Sequence, residues 1–87
     1  MVLKNKAVLR QIGEDSLLIP VGSIASKYSG IFTLSPVAAT AYKIFEKGGD
    51  FDEALAEILK NYEVDETTAM ADLTEFVDML RSYDLAE

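Results

Sequence analysis

Hydrophobic and polar positions change their period once along this chain, and the change divides it into two kinds of structure. Up to residue 34 the apolar residues come in short runs with rough alternation, the spacing of strands. Ala7-Val8-Leu9-Arg10-Gln11-Ile12 puts Val8, Arg10 and Ile12 on one face and Leu9 on the other. Gly13-Glu14-Asp15 predicts a turn, its glycine suited to a bulge or a positive φ. Leu17-Leu18-Ile19-Pro20-Val21 predicts a second strand, with Pro20 at an edge or near the strand's end because it has no N–H for a ladder. Ile31-Phe32-Thr33-Leu34 is β-branched and aromatic and predicts a third. Met1 to Lys6 reads as a frayed, polar lead-in. Residues 22–29 read as a connection able to prolong the second strand, anchored by Ile24 and Tyr28.

From Ser35 onward the spacing is helical. Ser35-Pro36 predicts an N-cap followed by proline at the first helical position, where its missing N–H costs nothing. Val37, Ala38, Ala41, Tyr42 and Phe45 form one stripe, widened by Ile44, and Gly48-Gly49 ends it. Asp50 with Glu53 predicts a capping box for a second helix, whose apolar stripe is Phe51, Ala54, Leu55, Ile58, Leu59 and Tyr62. On its wet side Glu57 and Lys60 can pair. Asp65 then caps a longer third helix reaching about Tyr83, with Ala69, Leu73, Phe76, Val77, Leu80 and Tyr83 as its apolar set and Met70 and Met79 beside it. Three short strands followed by three helices make an α+β domain with the outline of a winged helix-turn-helix relative.

Composition narrows the function. Eighty-seven residues make one domain, 1–87, and 49% hydrophobic with 26% charged residues is a globular balance. Without cysteine or histidine the chain lacks a thiol nucleophile, the commonest general base and the commonest metal ligand. No metal or cofactor is expected. No apolar run approaches the ~18 residues of a membrane span, and no signal-peptide core opens the chain, so the expected location is the cytoplasm and no membrane partner is expected. Residues 1–48 carry six basic side chains against three acids, whereas residues 49–87 carry two against twelve. The acidic surface of the second half favours solubility and disfavours phosphate backbones and anionic lipid.

The carboxylate pairs Asp52/Glu53 and Asp65/Glu66 sit in helix first turns, where acids favour the dipole. No phosphate-binding, nucleophile-elbow or zinc-protease motif is present, and the chain is not expected to be an enzyme. A winged-helix DNA-binding regulator is the alternative by shape. It is disfavoured by Glu66, Asp72, Glu75 and Asp78 against Arg81 in the third helix. Asp15-Ser16-Leu17 matches the attachment triplet of carrier proteins, but it precedes a strand rather than opening a helix. Peptide binding fits better: the edge of a small sheet can accept an extended peptide as an added strand. Gly30, Ile31, Phe32, Thr33 and Leu34 would supply that edge, with Leu73, Val77 and Leu80 either walling one side or packing in the core.

The order and spacing of several pieces resemble the PqqD-like proteins, named for pyrroloquinoline-quinone biosynthesis protein D. These pieces are Leu18-Ile19-Pro20-Val21-Gly22, Gly30-Ile31-Phe32-Thr33-Leu34-Ser35 and Tyr42-Lys43-Ile44-Phe45-Glu46-Lys47-Gly48. Tyr62-Glu63-Val64-Asp65, Ala71-Asp72-Leu73, Phe76-Val77-Asp78-Met79-Leu80 and Tyr83-Asp84-Leu85 complete them, so that the resemblance runs from about Val8 to Leu85. It implies a three-stranded antiparallel sheet with a three-helix bundle. It also implies that the leader of a ribosomally made precursor peptide adds beside the third strand, against the third helix, for delivery to a modifying enzyme, often of the radical S-adenosylmethionine type. Carried over, residues Ile31 to Leu34 supply backbone contacts, and Leu73, Phe76, Val77 and Leu80 supply the apolar wall. An exposed edge is compatible with a monomer or a dimer.

Overall fold

The second strand is buried on one face only, and that sets its place. The computed structural model describes residues 2–4, 6–22 and 30–87. Strands β1 (Ala7–Ile12), β2 (Asp15–Pro20) and β3 (Phe32–Leu34) precede helices α1 (Pro36–Glu46), α2 (Phe51–Asn61) and α3 (Glu66–Ser82). The strands form one antiparallel sheet in the order β1-β2-β3. In β2, Ser16, Leu18 and Pro20 are buried while Leu17 and Ile19 are only half covered. Leu18 lies between Leu9 and Phe32 across the sheet and points into the core. Ser16 is the polar exception, and its Oγ donates to Gln11 Oε1 at 2.9 Å on the neighbouring strand. That buried, bonded hydroxyl in a strand is no attachment point for a carrier arm. Gly13, at φ 61°, starts the two-residue turn that joins β1 to β2, the position that a type II′ hairpin turn reserves for glycine.

Each helix begins and ends for local reasons. Ser35 accepts from the Ala38 N–H at 3.1 Å, with Pro36 in the first turn. Gly48, at φ 86°, turns the chain out of α1, and the Gly49 N–H returns to Ile44 O at 2.9 Å. Asp50 and Glu53 form the reciprocal capping box that opens α2. Asp65 takes the N-cap position of α3, but its side chain makes no capping bond. The expected Glu57–Lys60 pair is replaced by Asn61 Nδ2 donating to Glu57 Oε1 at 2.8 Å. Helix α2 packs on both α1 and α3, and Phe45, Leu18, Ile58, Leu73, Leu80 and Leu85 form the fully buried centre. Burying each such side chain is worth about 1.5–3 kcal/mol. Tyr62 OH meets Thr40 Oγ1 at 2.8 Å and donates to Pro36 O at 3.1 Å, tying the end of α2 to the start of α1. No helix among the described residues is long and apolar enough to cross a membrane.

The first residues depart from expectation. The sequence predicts fraying, yet Leu3 bridges Ala86 and the Lys4 N–H reaches Leu85 O at 3.1 Å. Asp84, at φ 59°, turns the chain after α3 and holds both Lys4 and Lys6 in ion pairs, the latter at 2.6 Å. The partners of this clasp stand at opposite ends of the sequence, beyond the reach of any local pattern. The third strand is also shorter than its apolar run, since Ile31 lies outside it and is 57% exposed. The expected connection anchored by Ile24 and Tyr28 lies outside the described residues.

Candidate functional site

Backbone parity decides which groups the end of the sheet presents. The Val21 N–H donates to Lys6 O at 2.8 Å, continuing the β1–β2 register by one pair. In an antiparallel ladder, hydrogen-bonded and non-bonded pairs alternate. Asp15, Leu17 and Ile19, six, four and two residues before Val21, therefore direct their backbone groups toward β1, and Ser16 and Leu18 direct theirs toward β3. Ser16 pairs with Leu34 and Leu18 with Phe32, so those two residues of β3 spend their N–H and C=O on β2. Thr33 lies opposite Leu17 and sends both groups the other way, off the end of the sheet. Pro20 obeys the same parity: the donor it lacks would have pointed beyond the end of β3, where no paired residue needs it.

Beside this edge runs α3. The Phe32 and Tyr83 rings meet edge to face with centroids 4.7 Å apart, placing the end of α3 at the start of β3. Near the other end, Ser35 and Ala38 share a hollow with Asp72, Leu73 and Phe76. Helix α3 thus runs antiparallel to β3. Between them lies a groove of about 270 Å³, lined by Thr33, Leu34, Ser35 and Ala38 on one side and by Asp72, Glu75, Phe76 and Met79 on the other. A larger hollow of about 670 Å³ follows the outer face of α3 past Met70, Ala71 and Thr74 and meets the first at Glu75. Among the described residues its lining includes no strand edge, whereas that of the smaller groove does.

The residues expected from sequence divide between groove and core. Thr33 and Leu34 line the groove, and Phe32 lies at its end against Tyr83. Gly30 and Ile31 lie just before the strand and are exposed. Of the helix residues, Phe76 lines the groove and Leu73 the adjoining hollow. Val77 is 5% exposed and Leu80 is fully buried, and neither lines the groove. The reason is angular. At about 100° per residue, positions 72, 75, 76 and 79 form a stripe roughly a quarter turn from the core stripe of 69, 73, 77 and 80, and Phe76 lies where the two meet.

Sequence reasoning missed Ser35, Ala38, Asp72, Glu75 and Met79 as groove residues. The spacing of 72, 75, 76 and 79 was the available signal, though a mixed acidic and apolar stripe does not announce itself beside a stronger apolar one. Asp72 and Glu75 are exposed, and neither has an ion-pair partner among the described residues. The groove thus combines an outward backbone donor and acceptor, an apolar floor and an acidic wall. That arrangement can hold an extended chain.

Comparison with known proteins adds three findings. The family model for coenzyme PQQ synthesis protein D matches residues 15–86. The solved structure of TbiB1 in complex with the TbiA(beta) leader peptide aligns with a TM-score of 0.79 at 24% sequence identity, covering 100% of this chain and 95% of that one; this establishes likeness of fold. A search of curated proteins finds no match.

Proposed function

The chain belongs to the PqqD family, and from that premise we propose that it is a non-catalytic peptide chaperone. It binds the leader of a ribosomally made precursor peptide as an added strand beside β3 and presents the peptide to a modifying enzyme, of which a radical S-adenosylmethionine maturase is the favoured type. The observation that carries this reading is the outward-facing backbone of Thr33 at the rim of a groove walled by α3. Strand addition needs an unspent donor and acceptor at the end of a sheet, plus a surface for alternate side chains. Both are supplied here. The leader peptide bound by TbiB1, a protein of like fold, adds support of the same kind. A DNA-binding role is disfavoured, since Glu66, Asp72, Glu75 and Asp78 line the open surfaces of α3 and would repel phosphates.

The test is a backbone-amide NMR titration of the labelled protein with the leader of a precursor peptide encoded beside its gene. Saturable shifts should centre on residues 31–35 and on Asp72, Glu75, Phe76 and Met79. Saturable shifts confined to α2 or to the β1 edge would refute the placement. Absence of shifts at high peptide concentration would refute the function.

A further inference from the structure

Among the described residues, the groove's acids have no cation beside them. Among the described residues, no lysine or arginine lines the groove, and Asp72 and Glu75 stand without ion pairs, while Lys4 and Lys6 are committed to Asp84. We infer that the peptide this groove accepts is cationic at one groove-facing position: a Lys or Arg side chain meets Asp72 and Glu75, and a large apolar side chain two residues away covers Phe76 and Met79. This rests on the strand-addition reading above.

The spacing supports it. A strand added to β3 repeats the pleat, so alternate residues turn toward the helix and successive groove-facing side chains stand about 6.6–6.8 Å apart. Asp72 and Phe76 are one helical turn apart, as are Glu75 and Met79, a rise of about 6 Å in each case. Because α3 runs antiparallel to β3, the acid pair lies toward Ser35 and Met79 lies toward Phe32. Two consecutive groove-facing residues of the leader therefore meet the acids and the apolar floor in turn. The stem of a Lys or Arg can lie along Phe76 while its charged head stays wet beside the carboxylates. An acidic leader would instead bring like charge against a chain of net charge −7.

A selection that presumes nothing about the natural leader tests this. Short randomised peptides displayed on phage are selected on the folded protein and counter-selected on a folded Thr33→Pro variant, which lacks the outward donor. Enriched peptides should carry Lys or Arg two residues from a large apolar residue. Replacing that basic residue by Gln in a synthetic enriched peptide should weaken binding by about threefold to tenfold, as should the exposed double substitution Asp72→Asn with Glu75→Gln. Asp72→Lys with Glu75→Lys should shift the enriched charge to Asp or Glu. Peptides that need the Thr33 donor but tolerate Gln, or that are enriched in acids, would overturn the cationic position and leave strand addition standing. A selection in which no peptide distinguishes the wild type from Thr33→Pro would overturn both.

Discussion

Replacing Thr33 by proline changes one atom that matters. The residue is exposed, sits in the terminal strand and directs its N–H away from β2, so the sheet loses no hydrogen bond. Proline also favours extended backbone at the preceding residue, which Phe32 already has. The fold should therefore survive, as it does for proline on edge strands generally. A leader strand, by contrast, loses its hydrogen bond from Thr33 and finds a ring where the proton was. The net bond is worth about 0.5–1.5 kcal/mol, and a leader carbonyl left unsatisfied against the groove adds about 1–3 kcal/mol. A combined loss of about 2–3 kcal/mol weakens binding by roughly 30- to 150-fold. Titration calorimetry with the leader peptide reads the affinity, and a circular-dichroism melt checks the fold. Thr33→Ala keeps the N–H and should bind within about threefold of the wild type. Phe32→Pro should instead unfold the sheet, because the Phe32 N–H is spent on Leu18. A folded Thr33→Pro protein with unchanged affinity would show that the parity argument, or the added strand itself, is wrong.

Two further outcomes follow from the scaffold. The hydrogen bonds from Lys4 and Lys6 hold the Asp84 carboxyl down from 3.8 to about 2. A depressed folded-state value means that its stabilisation is present above pH 3.8 and is lost as the pH falls toward 2. Asp84→Asn, which keeps a residue tolerant of the left-handed backbone, should lower the melting temperature at neutral pH and flatten its dependence on pH across that window; identical pH slopes would remove the clasp from the account. At Gly49 an added Cβ would lie 2.9 Å from the Ile44 carbonyl oxygen and closer still to the Ile44 side chain. Gly49→Ala should therefore destabilise the protein by about 1–3 kcal/mol in urea unfolding, and an unchanged midpoint would refute the close approach.

What the sequence revealed was what a short window contains. The Ser35 cap, Pro36, the Asp50–Glu53 box and the Gly48-Gly49 stop each depend on residues within five positions, and all four took the expected form. The pairing of β1 with β2 was equally accessible, since a tight turn forces them side by side, whereas the side on which β3 joins was not. The clasp was not, because Lys4 and Asp84 are 80 residues apart and neither belongs to a periodic pattern. The burial of Leu85 and Ala86 follows from the same long-range pairing: the lead-in that reads as frayed packs along them. The groove wall failed differently. Its stripe was present in the helical spacing, but choosing between the two flanks of α3 requires knowing which one β3 lies along. That depends on the Phe32–Tyr83 contact.

A strand edge that welcomes a peptide will also welcome another copy of itself, and such edges seed aggregation unless something blunts them. Here the device is the same wall that borders the groove. Two copies joined β3 to β3 about a two-fold axis would bring together two α3 flanks, each carrying Asp72 and Glu75, along one shared edge. Like charges so placed repel, and three residues of β3 supply few ladder bonds in return. A foreign strand of opposite charge escapes the repulsion. On the strand-addition reading, the acidic flank would act as a filter between self and cargo, keeping the edge open in a concentrated solution of identical molecules without covering it.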